Sequence, residues 1–248
     1  MFRGKLRQIL IGLALVTTLV AGPSSALLVQ PIYVDMRYTG ARSNSALRVI
    51  NDRNRPIMVE VTVSRLDIPE EGAPVYTPID SDDFLIFPAV ATIPANGVQM
   101  FRVRWVGDVP PEGKLFALTS SELPGEIQDG DAAAVQLLYA IQSVVAIGPE
   151  DARPEIKAVG VERAVGPENA PGVSILFENE GRLHGQVAQA TIMLKSGDWS
   201  RRLEPTDMSN AVGLGVIPAG QKRKLFVPVT GVPEAGALSV SADIPAVR

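Results

Sequence analysis

The segment Ile93-Pro-Ala-Asn-Gly-Val-Gln-Met-Phe-Arg-Val103 places a tight turn directly before a run that alternates apolar and polar side chains. The arrangement returns in Ile217-Pro-Ala-Gly-Gln-Lys-Arg-Lys-Leu-Phe-Val227. Each copy follows an apolar run that ends in asparagine, at residues 47–51 and 175–179. A repeat of this kind predicts two β-sandwiches built on related plans. The alternative is that turn–strand units resemble one another in many unrelated folds.

Alternation with a period of two continues elsewhere in the chain and indicates an all-β fold. Residues 45–51, 57–64 and 98–106 each show it. In the last of these runs one face is apolar and the other is basic, with Phe101, Val103 and Trp105 opposed to Arg102 and Arg104. The 22 glycines and 20 prolines interrupt the sequence at short intervals, as they do in sandwiches of short strands.

The ionisable residues exclude several classes of site. The chain has no cysteine, which excludes disulfides, thiolate catalysis and cysteine-based zinc sites. The single histidine, His184, cannot form a two-histidine metal site within one chain, and its glycine-flanked context predicts a surface turn. A formal charge of −4 argues against nucleic-acid binding. No convergent acids, histidine and nucleophile indicate an enzyme, and no motif indicates a cofactor or a metal.

The N-terminus predicts export. Arg3, Lys5 and Arg7 precede an apolar run over residues 9–20, which is too short to span a bilayer as a helix. Small residues then lead to Ala26, where we expect a signal peptidase to cut. The segment 1–26 is therefore interpreted as a bacterial signal peptide, and the mature chain as soluble, without stable membrane insertion. An uncleaved N-terminal anchor is the alternative.

Residues 135–147 form a run of 13 residues without a charge, which predicts an unusually long strand. Its odd positions are bulky, whereas its even positions are mostly small or polar. One interpretation is a central strand of the core. The other is that its first half lies at a sheet edge and offers its odd face to another protein, because an exposed apolar edge is hazardous unless it is used. The odd residues of that half are Val135, Leu137, Tyr139 and Ile141.

The segment Gly148-Pro-Glu-Asp-Ala-Arg-Pro154 predicts a short, stiff connection between two domains. Two prolines end the preceding strand, and three charged residues favour exposure to solvent. We therefore expect an N-terminal domain over residues 27–150 and a C-terminal domain over residues 151–248.

Several short motifs together make the sequence resemble the periplasmic chaperones of the chaperone–usher pilus pathway. The resemblance covers nearly the whole chain after residue 26 and rests on short motifs whose order and spacing make the set specific. These are Gln30-Pro-Ile, residues 47–51, 83–88, 92–103, 121–124, 176–179 and 217–220. The Pro-Ile start, with Ala46 and Leu47 ahead of Asn51, is most similar to the archaic branch.

The resemblance implies two immunoglobulin-like domains set at an angle, in the periplasm. It also implies binding of pilus subunits, each an incomplete sandwich, by donation of the last strand of the first domain. Here the donated side chains would be those of Val135, Leu137, Tyr139 and Ile141. Delivery of the subunit to an outer-membrane usher is implied as well.

The chain departs from the family at the cleft between the domains. Relatives hold the subunit's terminal carboxylate with two cations, and the corresponding places here are Tyr33 and the neighbourhood of Val144. Arg102 and Arg104 are candidate replacements, since arginine suits a carboxylate. The alternative is that both lie on a solvated strand face. Glu122 matches a residue used in interdomain contact, although the matching partner position holds Gly148.

Two other functions stay open on the sequence alone. An exported structural or adhesive protein, such as a pilus subunit, would have the same immunoglobulin-like pattern without chaperone activity. A subunit is expected to begin with a donor extension, however, whereas the first-strand pattern starts at Leu27. A periplasmic enzyme or binding protein is the other class, and it lacks any constellation of residues to support it.

Overall fold

Strands make up most of the computed structural model, which describes residues 27–79, 82–125 and 137–245. The predicted all-β fold with two immunoglobulin-like sandwiches is confirmed. The predicted signal peptide over residues 1–26 lies outside the described residues, as does Val135. No helix among the described residues is long and apolar enough to cross a membrane.

The described residues of the N-terminal sandwich form ten strands. In chain order, β1 to β10 are Leu27–Gln30, Tyr33–Arg37, Asn44–Asn51, Ile57–Asp67, Val75–Pro78, Phe84–Phe87, Val90–Ile93, Val98–Trp105, Lys114–Glu122 and Ala140–Gly148. One sheet has the order β1-β3-β8-β6 and the other β2-β10-β9-β4-β5, with β7 also paired to β4. Their inner faces enclose an apolar core in which Phe84 meets Trp105 and Phe116 edge to face, at 5.0 and 4.9 Å.

The described part of the C-terminal sandwich contains eight strands, one α-helix and the 3-10 turn Pro167–Asn169. The strands β11 to β18 are Ile156–Val165, Pro171–Asn179, Gly185–Gln186, Thr191–Ser196, Trp199–Leu203, Val216–Ile217, Lys222–Pro228 and Ser239–Asp243, and the helix α1 is Pro205–Val212. The sheets have the orders β11-β12-β17, β13-β16 and β15-β14-β18. Their buried residues form a second core, separate from the first.

The strands expected at residues 45–51, 57–64 and 98–106 are present as β3, β4 and β8. The alternation in β8 is confirmed: Phe101, Val103 and Trp105 are buried, whereas the two arginines between them are exposed. Because side chains of a strand point alternately to its two faces, this pattern determines which side of β8 joins the core.

The sequence repeat has a structural cause in two buried asparagines. The Asn51 side-chain nitrogen donates to three carbonyl oxygens, those of Arg55, Ile93 and Pro94. Asn179 does the same in the second sandwich, donating to Leu183, Ile217 and Pro218. Each asparagine therefore ties the end of one strand to the Ile-Pro-Ala turn ahead of another, which satisfies buried carbonyl groups of that turn.

A small apolar cluster joins the two sandwiches. It consists of buried residues from both, namely Leu66, Ile68, Leu115, Ala146 and Val216. Polar contacts flank it: the Lys224 N–H donates to the Glu70 carbonyl at 2.7 Å, and the Gly113 N–H donates to the Arg182 carbonyl at 2.8 Å. The chain between Gly148 and Ile156 contains no strand. The exact boundary at residues 150 and 151 stays a prediction.

Candidate functional site

Strand β10 lies between β2 and β9, but these neighbours cover different lengths of it. β9 pairs with β10 in antiparallel register from Ala140 to Ile147. β2 pairs with it in parallel, and only from Val144 to Gly148. We call residues 140–143 the open half of β10 and residues 144–148 its closed half. Among the described residues, no strand pairs with the second side of the open half.

The backbone of the open half directs hydrogen-bonding groups toward that uncovered side. At the start of the closed half, the Val144 N–H donates to the Ile32 carbonyl of the neighbouring chain segment at 2.9 Å. Alternate residues of a strand point their backbone groups to the same side. Ala140 and Gln142 therefore point theirs to the side where β2 no longer runs, and both residues are exposed. The open half therefore presents an edge with which none of the described strands pairs.

The odd-numbered side chains change from exposed to buried along this segment. Leu137, just before the strand, is 63% exposed. Tyr139 and Ile141 are partly buried and pack against the N-terminal core. Beyond them the same face is fully buried, at Ser143, Val145 and Ile147. The odd-numbered side chains therefore form one continuous face, which is buried in the N-terminal core at its C-terminal end and exposed to solvent at its N-terminal end.

The structure confirms one expectation for this segment and corrects another. The first half of β10 does lie at a sheet edge, over residues 140–143. The strand is shorter than predicted, because residues 137–139 are not in a strand. The register with β9 ends at Ala140, and one further hydrogen bond joins Glu122 of β9 to Tyr139. Whether Val135, Leu137, Tyr139 and Ile141 bind a partner stays a prediction.

Tyr139 is held from both backbone and side chain where the strand begins. Its carbonyl accepts a hydrogen bond from the Glu122 N–H at 2.8 Å. The Arg53 guanidinium carbon lies 5.0 Å from the centre of its ring, the geometry of a cation–π contact. Arg53 also donates to Glu122 Oε1 at 2.6 Å, and both of these side chains are buried. Arg55, which is about half exposed, reaches the same oxygen at 3.2 Å.

The match of Glu122 to an interdomain position of the resembling family does not extend to its contacts here. Glu122 ends β9 and pairs with Arg53 and Arg55 within the N-terminal sandwich. The domain interface lies at the other end of the same strand, where β9 begins at Lys114. Eight residues of strand separate the two ends, roughly 26 Å. Sequence reasoning also missed Arg53, because its polar turn had no pattern that distinguished it from an ordinary loop.

Arg102 and Arg104 do not lie beside β10. They belong to β8, in the sheet β1-β3-β8-β6, and both are exposed on its solvent face. Across the strands they stand opposite Phe87 and Leu85 of β6. Neither arginine lines the described cavities between the domains. The structure therefore favours a solvated strand face for both and brings neither to the cleft.

Tyr33 and Val144 stand at the two cleft positions where cations are expected from the family resemblance, and here they contact each other. Tyr33 and Val144 pair across β2 and β10, and they pack on the interdomain cluster together with Leu214. Burial raises the pKa of the Tyr33 hydroxyl well above its ordinary value, and a hydrogen bond with Gln186 opposes the rise. The tyrosine is therefore a neutral hydroxyl, so this part of the cleft can offer hydrogen bonds without a positive charge.

His184 is buried between the sandwiches, so its predicted place on the surface is wrong. Its Nδ1 accepts a hydrogen bond from the Ala219 N–H at 3.2 Å, and its Nε2 is buried against Gly113 without a partner among the described residues. Burial lowers the pKa of the imidazole to about 4, while the Lys114 backbone and Asp35 act in the opposite direction. Docking of one sandwich on the other covers a turn that would be exposed in a single domain.

His184 separates two cavities at the domain interface. The larger has a volume of about 670 Å³ and is lined by the start of β9 and the end of β4. The smaller, of about 260 Å³, is lined by β2 and by the connection between the domains. The described residues contain no group of three or more histidine, aspartate or glutamate side chains arranged to hold a metal ion.

Comparison with known proteins finds similar structures but no similar sequence. Neither a protein-family model nor a curated protein sequence matches the chain. A chain of a chaperone–tip adhesin complex of CFA/I fimbriae matches with a TM-score of 0.53 and 9% identity, over 89% of this chain and 100% of that one. The class 5 fimbriae chaperone CfaA gives 0.52 and 9%, over 87% and 99%.

A chain of the Salmonella enterica complex of the SafA pilin with the SafB chaperone matches with a TM-score of 0.52 and 17% identity, over 91% of this chain and 99% of that one. The chain has the fold of a fimbrial chaperone. These matches span nearly all of each solved chain, so the likeness includes both sandwiches and not a single immunoglobulin-like domain. The placement in the archaic branch stays a prediction.

Proposed function

We propose that this protein is an exported assembly chaperone that captures pilus subunits by adding a strand to them. The observation that carries the proposal is the open half of β10. There an unpaired backbone edge continues into the exposed side chains of Leu137 and Leu138, on a chain with the fold of fimbrial chaperones. A protein that keeps such an edge unprotected is exposed to aggregation unless a partner covers it.

Strand addition follows from the chemistry of this edge. The backbone groups of Ala140 and Gln142 would pair with an edge strand of the subunit, and the odd side chains would enter an apolar groove. The donor residues in this proposal are Val135, Leu137, Tyr139 and Ile141. Each apolar side chain that becomes fully buried contributes on the order of 1.5–3 kcal/mol before the costs of association and ordering. The action needs no catalytic step and no cofactor.

Three further parts of the proposal rest on the sequence pattern. The sequence pattern of a signal peptide over residues 1–26 supports cleavage after Ala26 and action in the periplasm. Domains over residues 27–150 and 151–248 are supported by two separate apolar cores on either side of the connection. Delivery of the captured subunit to an outer-membrane usher is supported by the family resemblance alone.

The test is co-purification from the periplasm followed by a charge placed on the donor segment. The tagged protein is isolated from the periplasm of its own bacterium, and the proteins bound to it are identified by mass. We expect a pilus subunit to co-purify. Leu137→Glu should abolish this capture without unfolding the protein, because an unpaired charge cannot be buried in an apolar groove and Leu137 is exposed in the free chain.

The chain offers a matched control in Leu85, which is 56% exposed on β6 of the other sheet. Leu85→Glu makes the same change of charge at a similar exposure and should leave capture intact. Normal capture by a folded Leu137→Glu variant would overturn the donor-strand assignment, and the absence of any pilus subunit in the wild-type sample would overturn the chaperone proposal.

A further inference from the structure

Arg53 lies in a turn whose backbone is fixed on both sides. Its N–H donates to the Asn51 side-chain oxygen at 3.1 Å, and its carbonyl accepts from the Asn96 N–H at 2.9 Å. The side chain is only 9% exposed, and it reaches from this turn to the end of β9, where the Glu122 carboxylate holds the guanidinium. An arginine so constrained at both ends cannot easily change its position.

The guanidinium carbon of Arg53 lies over the ring of Tyr139, 5.0 Å from its centre, and Tyr139 is the residue immediately before the open half. Beyond Tyr139 toward the N-terminus, Leu137 and Leu138 are exposed. Beyond it toward the C-terminus, Ile141 packs on the core. Tyr139 therefore lies at the boundary between side chains that pack on the core and side chains that are exposed to solvent. The Arg53–Glu122 ion pair contacts the chain at this boundary.

We infer that Arg53 is a positioning residue for strand addition. It holds the Tyr139 ring, and so determines where the donor segment leaves the N-terminal sandwich and in what register it meets a partner. This role rests on the proposed function. Holding the segment in place reduces the ordering that binding would otherwise require, which strengthens binding without adding a contact to the partner.

The pair is suited to this task for a physical reason. A cation–π contact requires a cation held over the ring face, and its strength increases when both groups are removed from water. Glu122 keeps the cation in place and offsets part of the cost of burying its charge. Arg55 supplies a second cation to the same oxygen while its own side chain stays half exposed. It is therefore a close comparison for Arg53 that differs in lacking the Tyr139 contact.

The test uses the purified chain and amide hydrogen exchange, followed by mass analysis of its peptides. Arg53→Lys keeps the charge beside Glu122 but loses the planar face, so exchange in the peptide that covers residues 137–143 should become about 3- to 10-fold faster. Peptides from the closed half and from the C-terminal sandwich should be unchanged. A purely structural loss would instead accelerate exchange throughout the N-terminal sandwich. Arg55→Lys is the matched control and should leave residues 137–143 as they are.

A second comparison shows whether Arg53 acts through the ring. Tyr139→Phe keeps the ring and should behave as the wild type. In a Tyr139→Leu background, Arg53→Lys should have no further effect on the exchange of residues 137–143. Faster exchange on adding Arg53→Lys to Tyr139→Leu would overturn the inference, and so would unchanged exchange in Arg53→Lys alone.

The last measurement separates this inference from the function on which it rests. The pilus subunit recovered with the wild-type protein is added to each variant, and association is followed. Arg53→Lys should bind about 3- to 10-fold more weakly, and Arg55→Lys should bind normally. Equal binding by Arg53→Lys would overturn the positioning role. Failure of the wild type to bind any pilus subunit would overturn the proposed function, while the exchange result would still decide whether Arg53 holds Tyr139.

Discussion

The two halves of β10 belong to one strand, pair with the same neighbour β9 and share one inward face, yet they differ in how their second side is covered. In the closed half, β2 pairs with the second side, and residues 145–148 are buried. In the open half none of the described strands pairs with that side, and the side chains at Ala140 and Gln142 are exposed. The two halves follow each other directly in one strand, so the segment that stabilises the fold lies next to the segment that we propose adds itself to another protein.

This difference shows how a sheet can keep an open edge and still be stable. The closed half anchors the strand in both the N-terminal core and the interdomain cluster, through Val145 and Ile147 on one face and Ala146 on the other. The open half is held by β9, by the packing of Ile141 on the core and by the Ser143 hydroxyl, which donates to the Pro31 carbonyl at 2.9 Å. The residue before it, Tyr139, is held by Arg53. Changes in the two halves should therefore separate stability from binding.

The largest effect is expected from a charge in the closed half. Val145 is fully buried in the N-terminal core, so Val145→Asp places an unpaired carboxylate there. We expect it to lower the free energy of unfolding by about 4–5 kcal/mol or more and to unfold the N-terminal sandwich in many conditions. Urea denaturation followed by circular dichroism measures the change. A loss below about 1 kcal/mol would mean that the closed half is not the anchor described here.

Acid should weaken the end of the closed half. His184 lies against Gly113, which also contacts the Ile147 carbonyl, so the histidine flanks the last residues of β10. Its pKa is about 4 in the folded protein against 6.5 for the free side chain. Between these values the unfolded state binds the proton and the folded state does not, so stability falls as the pH falls from about 6.5 toward 4.

This contribution should amount to about 2 kcal/mol between pH 7 and pH 4.5. The control is His184→Asn, whose side-chain oxygen can still accept from the Ala219 N–H but does not titrate. The measured quantity is the difference in pH dependence between the two proteins, since the carboxylates common to both cancel. Parallel stability curves for wild type and His184→Asn over this range would contradict a buried neutral histidine.

A pair of proline substitutions gives the smallest and most local comparison. Val144→Pro removes the N–H that donates to the Ile32 carbonyl, and we expect a loss of about 1–2 kcal/mol in the free energy of unfolding. Gln142→Pro removes an N–H that faces the uncovered edge, where proline is tolerated, so its cost should stay below about 1 kcal/mol. Thermal unfolding compares the two variants. Equal losses would show that the edge at Gln142 is already paired in the free protein.

The sequence alone predicted the fold because its signal is local and repeated. Period-two alternation located β3, β4 and β8, and the Asn-strand and Ile-Pro-Ala units revealed two related sandwiches. Each of these features is visible within about ten residues of chain. For residues 135–147 the sequence left a central strand and an edge as alternatives, and β10 contains both, because β2 pairs with residues 144–148 only.

The errors concern contacts between residues that are distant in sequence. Glu122 meets Arg53 across 69 positions, and His184 is buried by Ala219 and Gly113, which lie 35 positions after and 71 positions before it. The local sequence pattern does not predict such long-range contacts. The start of β10 at Ala140 was likewise unpredictable, because the end of pairing with β9 and not the composition of the segment sets it.

The most direct test of strand addition is residue-level amide exchange in β10, free and in complex with a pilus subunit. The open edge predicts that the amides of Ala140 and Gln142 exchange rapidly in the free protein and become at least about 100-fold slower in the complex, since each gains a hydrogen bond in the added ladder. The Ile141 amide, whose backbone faces β9, should change much less. A complex in which Ala140 and Gln142 exchange as fast as in the free chain would contradict the account.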